Sequence, residues 1–230
     1  NKGRFNREPV FLEKVFKKYG KVKNVLDVGC GTGSHLNKLL ELGFTGVGID
    51  LNKNMVKFAK EKYPHLKFEV KDMRKLNYSN QFDAIICLCT TFCYNTSNED
   101  VVAALKSFHK ALKRGGLLII ETFNPITFLE KKKFMRTIEE TDNYKKFGLK
   151  SVNEHWIDET QQQMIERRTV YKLKDNKKLK SDLTKFRLFF PQEMKYFLET
   201  NGFKFQDFYG SHDIKDKKLD KFRLITVSKK

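Results

Sequence analysis

The sequence predicts an α/β protein whose central sheet is mostly parallel. Short apolar runs at residues 24–29, 45–50 and 66–70 alternate with segments of helical periodicity at residues 34–42 and 54–63. Such alternation is typical of strand–helix–strand units, in which each helix returns the chain to a neighbouring parallel strand. We therefore expect parallel strands with helices packed on both faces of the sheet.

The same kind of element continues on both sides of this region. An amphipathic helix is predicted over residues 9–20, with Pro9 near its start. Residues 82–88 are almost wholly apolar, as expected for a fourth strand that is buried on both faces. A helix over residues 99–113 and a fifth strand over residues 117–122 complete the regular pattern.

The pattern changes after the fifth strand. Residues 126–148 are polar, and they are predicted to be helical or irregular. Residues 150–190 contain two extended segments joined by a turn at residues 174–178, which predicts a small antiparallel insertion. A helix and a strand pair then close the pattern, at residues 191–201, 203–210 and 222–228. We expect residues 1–230 to form a single domain, with the insertion on the substrate side.

The composition is that of a globular protein with a strongly basic charge balance. Its 230 residues suit one domain, and no run approaches the roughly 18 apolar residues of a transmembrane helix. The formal net charge is +18, and almost all of the basic excess is lysine. Scattered lysines can reflect an AT-rich genome or a hot habitat. A basic surface can also bind nucleic acid, so both explanations stay open at this point.

The four cysteines favour a reducing compartment. Cys30 lies in a glycine-rich turn, whereas Cys87, Cys89 and Cys93 crowd one strand end, and the sequence contains no CxxC pair. These spacings suit neither a disulfide framework nor a zinc site, so no metal is predicted. Because no signal peptide is visible, we expect a cytoplasmic protein, and the lack of a spanning segment predicts no membrane association.

The glycine-rich turn after the first strand carries the most specific chemistry. Gly29, Gly31 and Gly33 have the spacing GxGxG, which is one residue shorter than the GxGxxG turn that cradles a pyrophosphate. Asp27 stands two residues before the first glycine, where a carboxylate would repel a pyrophosphate and attract an ammonium group. S-adenosylmethionine (SAM) offers an α-ammonium, a sulfonium and no phosphate. The turn therefore points to SAM.

Acidic residues after the next two strands fit the rest of that ligand. Asp50 follows Asp27 by 23 residues, about where an acidic side chain pairs with ribose hydroxyls. Asp72 follows the third strand and is placed to accept a hydrogen bond from the adenine amine, while Met73 beside it could pack on the adenine ring. These features occur in a fixed order along the chain, which makes them more specific together than singly.

The string LDVGCGTG, followed by GID, KDM and KRGGLLIIE, resembles the class I SAM-dependent methyltransferases over residues 20–125. The resemblance implies a Rossmann-like sheet of seven strands, mostly parallel, whose last strand is antiparallel. It also looks like the branch that methylates small molecules, including sugar-amine N-methyltransferases, which share the DMR sequence and an insertion after the fifth strand. The predicted cofactor residues are Asp27, Gly29, Cys30, Gly31, Gly33, Asp50, Leu51, Met55, Asp72, Met73, Leu88 and Cys89.

The acceptor is expected at the end of the fourth strand and beneath the insertion. Ligands in open α/β sheets bind at the carboxyl ends of the strands, which places the segment LCTTFCYNTS in the binding crevice. Methyl transfer depends mainly on alignment, and a base helps only if the acceptor must lose a proton. The candidate catalytic residues are Tyr94, His155 and Glu121. The candidate substrate-binding residues are Phe92, Tyr94, Trp156 and Arg187.

Three functional hypotheses remain at this point. The first is a methyltransferase acting on nitrogen or oxygen of a small molecule, as a monomer or homodimer. The second is an RNA methyltransferase, motivated by the +18 charge. The third is a non-catalytic SAM-binding protein. The segment CTTFCY lacks the (N/D)PP(Y/F) pattern that DNA and glutamine N-methyltransferases often carry, which argues against those two classes.

Overall fold

The computed structural model describes residues 4–129, 137–141 and 147–230. The helices are α1 Arg4–Tyr19, α2 Ser34–Glu41, α3 Lys53–Lys62, α4 Asn98–Ala111, α5 Ile126–Leu129 and α6 Pro191–Thr200. The strands are β1 Asn24–Val28, β2 Thr45–Asp50, β3 Lys67–Val70, β4 Phe82–Cys87, β5 Leu112–Phe123, β6 Thr137–Thr141, β7 Leu149–Asp158, β8 Gln163–Lys172, β9 Lys178–Arg187, β10 Lys204–Tyr209 and β11 Arg223–Lys229. Short 3₁₀ turns lie at Met73–Lys75 and Thr91–Tyr94.

The main sheet has seven strands in the order β10-β11-β5-β4-β1-β2-β3. Strands β1 to β5 run parallel, and β11 pairs antiparallel with both β5 and β10. The predicted mostly parallel, Rossmann-like sheet is therefore confirmed. The strand order reverses direction between β1 and β4, and ligands bind in the crevice beside the carboxyl ends of the strands at such a point.

Helices cover both faces of this sheet. One face packs against α4 and α6 through a cluster that contains Phe108, Met194 and Leu198. The other face packs against α1 and α2 through a cluster that contains Phe11 and Leu39. The first helix begins earlier than predicted, at Arg4, so Pro9 lies inside it and not near its start.

The insertion after β5 is larger than predicted. It is a second, antiparallel sheet in the order β6-β7-β8-β9. The sequence reading missed the hairpin turn at residues 159–162, because this turn uses Gln162 at a φ of 50° and contains neither glycine nor proline. It also missed β6, which falls within the segment 126–148 that was predicted to be helical or irregular. The rest of that segment gives α5 and residues 147 and 148, and its other residues lie outside the described ranges.

Candidate active site

A cavity of about 640 Å³ opens at the carboxyl ends of β1, β2 and β3 and beside the loop after β4. The predicted residues that line it are Gly29, Gly31, Asp50, Leu51, Met55, Asp72, Met73, Cys89 and Tyr94. The lining residues that sequence reasoning did not single out are Val28, Ile49, Asn52, Lys71, Arg74, Thr91 and Asn95. The volume lies within the range of small-molecule and cofactor sites.

The glycine turn folds back over β2. The backbone N–H groups of Gly29 and Cys30 both donate to Ile49 O, at 2.8 and 3.0 Å. Gly29 has a φ of +71°, and a Cβ there would lie 2.3 Å from Thr91 Cγ2, so only glycine lets the turn and the β4 loop meet. Gly31 has a φ of +52° and no atom within 4 Å of its Cβ position, so this part of the turn faces open space. The turn thus presents bare backbone to the cavity.

Asp50 holds the turn and the next helix together. Its carboxylate accepts a hydrogen bond from Gly31 N at 3.0 Å and another from Asn52 N at 2.8 Å. Asn52 in turn caps α3 by accepting from the backbone N–H groups of Asn54 and Met55. Since Asp50 also lines the cavity, its remaining acceptor capacity is available for a ligand hydroxyl.

Asp72 and Met73 form another part of the cavity wall. The Arg74 guanidinium donates to both oxygens of Asp72, and these hydrogen bonds lower the pKa of Asp72. Arg74 also donates to Asp100 at 2.7 Å. Asn95 Nδ2 lies 3.3 Å from Met73 Sδ, which fixes the thioether beside the β4 loop. The wall therefore pairs an ionised carboxylate with a polarisable apolar group.

Asp27 lies beneath the turn and does not line the cavity. It is 2% exposed, and among the described residues its Oδ2 atom has no hydrogen-bond partner. Burial raises the pKa of Asp27 to about 6, although the nearby His35 acts to lower it. An orphaned, buried carboxylate oxygen at the edge of a ligand cavity fits a cationic group and not a phosphate.

Three other predicted cofactor residues lie behind the cavity surface. Cys30 is buried in a small cluster with Phe68, and a Cβ at Gly33 would meet the Phe68 ring at 2.5 Å. Leu88 is buried in the core beneath α1. We therefore assign these positions to shaping the turn and the strand end.

The loop after β4 is strained where it borders the cavity. Cys89 and Thr90 have φ values of 52° and 62°, in the left-handed region that non-glycine residues rarely occupy. Such conformations cost about 1–3 kcal/mol each and cluster at functional sites. No pattern in the sequence marks this pair, because neither residue is glycine.

Tyr94 and Phe92 lie in the same loop but have different environments. Tyr94 lines the cavity and packs against Phe186 of the insertion, with ring centroids 5.0 Å apart. Its partial burial and the Glu166 carboxylate raise its pKa, so the phenol stays neutral at pH 7. Phe92 is fully buried between Phe108 and Phe189 and cannot touch an acceptor in this arrangement.

Replacing Phe92 by alanine is expected to cost about 3–5 kcal/mol of unfolding free energy, because it empties a packed aromatic site. Urea denaturation measures this loss. Tyr94→Ala is the matched control: the side chain is 56% exposed, and its removal should cost less than about 1 kcal/mol. Equal losses in the two variants would contradict the placement of the two rings.

None of the predicted residues of the insertion lines the cavity. His155 shares a strand face with Ile157, whose neighbour on β8, Met164, packs into the main core; His155 therefore faces the domain, paired with Glu166 at 2.8 Å. Trp156 lies on the opposite face, where the Arg167 guanidinium covers its ring at 5.2 Å.

Arg187 has a structural position. It pairs with Glu193 at 2.6 Å and lies over the rings of Phe189 and Phe197, each at 5.1 Å. These contacts join the end of β9 to α6. Neither Arg187 nor Trp156 lines the cavity.

Glu121 is the centre of a buried ionic network that the sequence did not reveal. It is fully buried, and it pairs with His212 at 3.1 Å and Arg223 at 2.9 Å. Although burial raises the pKa of Glu121, these two partners lower it overall, so the carboxylate is ionised. His212 also lies 3.7 Å from Glu8, which contacts His35 on the other side.

Comparison with known proteins finds similarity to methyltransferases. Residues 25–116 match the model of a methyltransferase domain family. The chain is 35% identical over 133 residues to a glycine/sarcosine N-methyltransferase of Parasynechococcus marenigrum, covering 55% of this chain and 47% of that protein. It is 32% identical over 109 residues to a dTDP-3-amino-3,4,6-trideoxy-alpha-D-glucopyranose N,N-dimethyltransferase of Streptomyces venezuelae, covering 46% of each. The chain thus spans about half the length of the curated relatives it matches.

Solved structures share the fold over nearly the whole chain. A SAM-dependent methyltransferase from Clostridium acetobutylicum superposes with a TM-score of 0.82 at 16% identity, covering 98% of this chain and 91% of that one. A SAM-bound amino pentose methyltransferase from Micromonospora echinaspora gives 0.72 at 20% identity, with the same coverage.

The fold is α/β, and its cavity lies at the carboxyl ends of the parallel strands, with the buried Asp27 carboxylate beneath the glycine turn. Residues 25–116 are similar to a methyltransferase domain family, and the fold is shared with SAM-dependent methyltransferases of known structure. In the part of the chain that is described, no helix is long and apolar enough to cross a membrane.

Proposed function

We propose that the protein transfers a methyl group from SAM to a nitrogen or oxygen of a small-molecule acceptor. The observation that carries this proposal is the cavity itself, which joins a bare glycine turn to two cavity-facing carboxylates, with the orphaned Asp27 oxygen beneath. This donor set suits a nucleoside with a cationic amino-acid tail.

Each group has a separate task in this proposal. Asp50 accepts from the ribose hydroxyls, Asp72 and Met73 hold the adenine, and Asp27 balances the charge of the tail. SAM, when bound, supplies a methyl group on a sulfonium that leaves as a neutral thioether. The chain's own contribution is alignment of the acceptor and exclusion of water, which together supply up to about 7–11 kcal/mol in favourable intramolecular cases.

A small acceptor is supported by what surrounds Tyr94. Phe186 packs on its ring from the insertion, and Glu166, paired with His155, faces it from the same sheet. The insertion therefore contacts Tyr94 at the cavity wall, and a small acceptor bound beside Tyr94 would lie next to the insertion. The two relatives described above bear names that specify amine substrates, which favours nitrogen as the accepting atom.

RNA as the acceptor is the second candidate, because the chain has a net charge of +18. The cationic side chains that line the cavity do not favour it. Arg74 is engaged by Asp72 and Asp100, and Lys71 by Glu69 and Asn77. Their charge is thus already compensated within the protein.

Methyl transfer from tritiated SAM tests the proposal. We expect label to enter a fraction of small metabolic amines and alcohols and not total tRNA. Tyr94→Ala should lower that transfer at least about tenfold, since it removes the cavity-lining side chain that contacts the insertion. Label in tRNA alone would establish the RNA reading, and SAM binding without transfer to either pool would establish a non-catalytic SAM-binding protein.

A further inference from the structure

Six buried or half-buried ionisable residues form one network behind the glycine turn. They come from α1, β1, α2, β5, the segment before β11, and β11 itself: Glu8, Asp27, His35, Glu121, His212 and Arg223. Glu8, Asp27 and Glu121 are nearly inaccessible to solvent, and His35 is 8% exposed. Burying three carboxylates together is costly unless cations compensate them.

The contacts run in a chain through Glu8. One of its oxygens hydrogen-bonds His35 Nε2, and the other lies 3.7 Å from His212 Nε2. His212 continues to Glu121, which Arg223 neutralises from the far side. Glu8 therefore lies between two imidazoles.

This network adjoins the cofactor cavity. Cys89 lines the cavity, and its thiol, a Glu8 oxygen and a His35 ring nitrogen lie within 4.8 Å of one another. Asp27 interacts electrostatically with both Glu8 and His35, and its Oδ2 has no hydrogen-bond partner among the described residues. The unsatisfied oxygen and the Glu8–His35 pair thus border the same end of the cavity.

Arg223 is the one permanently charged cation of the network, so protonation of His35 reduces the excess of negative charge. Three carboxylates face Arg223 and two histidines. Burial acts to lower the pKa of His35, but Glu8, Asp27 and Glu121 raise it above its ordinary value overall. A cation that entered beside Asp27 would oppose the charge on His35, because both would share the same carboxylates.

We propose that Glu8, Asp27 and His35 form an ammonium-binding site, and that His35 gives up its proton to solvent when the ammonium binds. The inference rests on the proposed function, since the two available sources of an ammonium are the amino-acid tail of SAM and an amine acceptor. The groups facing His35 are Glu8 from α1, Asp27 from β1, Cys89 from the β4 loop and Glu121 from β5. His212 and Arg223 act on it through Glu8 and Glu121, and Asp50 through Asp27.

Proton release on ligand binding tests this site. Calorimetric titrations with SAM in buffers of different ionisation enthalpy give the number of protons exchanged. We expect the release to approach about one proton per SAM at pH 7, where Asp27 is already mostly ionised, so that His35 is the group that loses a proton. At pH 9 the free amine of SAM is mostly neutral, and binding as an ammonium should instead take up a proton. S-adenosylhomocysteine, which keeps the ammonium, should behave like SAM, and methylthioadenosine, which lacks it, should release none.

Variants test whether the proton comes from this site. His35→Asn and Glu8→Gln should each abolish most of the proton release while the adenosine part still binds. Glu13→Gln is the matched control on the same helix, because Glu13 pairs with Lys17 at the surface, and it should leave the release unchanged.

The outcomes are distinguishable. Proton release only when methylammonium is added to the complex with S-adenosylhomocysteine would place the acceptor amine in the site. If SAM binds without proton exchange, and methylammonium added to the complex with S-adenosylhomocysteine also causes none, the inference is overturned and the proposed function is left intact. Failure of SAM to bind at all would overturn both. Stoichiometric binding of Zn²⁺ that blocks proton release would replace the ammonium site by a metal site.

Discussion

Replacing Asp27 by asparagine is expected to weaken SAM binding at least about 100-fold, because removing one charge of a buried ion pair costs about 3–5 kcal/mol. The variant keeps the shape of the side chain and loses only the negative charge that faces the cationic end of the ligand. Calorimetric titration with SAM at pH 7.5 measures the effect. An unchanged affinity would remove Asp27 from the cofactor site.

The same substitution should make the folded protein more stable in the absence of ligand. The pKa of Asp27 rises from 3.8 to about 6 on folding, so the ionised side chain costs the native state about 3 kcal/mol at neutral pH. This cost grows as pH rises from about 4 to 6 and stays constant above that range, and the asparagine variant lacks it. We therefore expect the wild type to lose stability over this interval relative to Asp27→Asn in urea denaturation.

Asp83→Asn is the control with the opposite sign. Asp83 accepts hydrogen bonds from Lys23 N and Asn24 N and pairs with Lys113, and although partial burial acts to raise its pKa, these three contacts lower it overall. Removing its charge should destabilise the fold and leave SAM binding unchanged. If both variants changed stability and SAM affinity in the same direction, Asp83 and Asp27 could not have the different roles assigned to them, which are to stabilise the fold and to bind the ligand.

Gly29→Ala is expected to abolish cofactor binding and to destabilise the fold. The backbone there has a φ of +71°, and a Cβ would lie 2.3, 2.6 and 2.9 Å from three atoms of the Thr91 side chain. Rotating Thr91 cannot relieve all three contacts, so the turn and the β4 loop must separate. Denaturation and SAM titration should both show losses, with Gly29→Ala/Thr91→Gly recovering part of the stability.

Gly31→Ala measures the cost of the left-handed backbone conformation without a steric collision. Its φ of +52° is also left-handed, but its Cβ position has no atom within 4 Å. The expected stability loss is therefore only the conformational cost of about 1–2 kcal/mol. SAM affinity should still fall, because the new methyl group enters the cavity. A stability loss equal to that of Gly29→Ala would show that the collision with Thr91 is not the cause.

The sequence predicted the parallel half of the fold because each element there has a local signal. Apolar runs, helical periodicity and glycine stops identify β1 to β5 and their helices without reference to distant residues. The insertion was predicted less completely. Strand β6 is polar, and its pairing of Thr137 with His155 is a contact between distant residues. The turn at Gln162 lacks the residues that normally mark a hairpin.

The residues of the candidate site were likewise predicted only where the sequence carries a local signal. The spacing of residues along the chain predicts the cavity-facing glycines of the turn. It also predicts Asp50, Asp72 and Met73. The pair Glu8–His35 does not, since 27 residues separate its members and each one alone is an ordinary helix residue. Phe92 and Tyr94 are both aromatic residues in one loop, and only packing decides that the first enters the core and the second faces the cavity.

Titration of the wild-type protein with SAM and with NAD under identical conditions tests whether the cavity binds SAM. Asp27 and the short glycine turn should favour a cationic tail over a pyrophosphate. We expect saturable binding of a single SAM per chain, competed by S-adenosylhomocysteine, and no binding of NAD. Binding of NAD in preference to SAM would contradict this expectation.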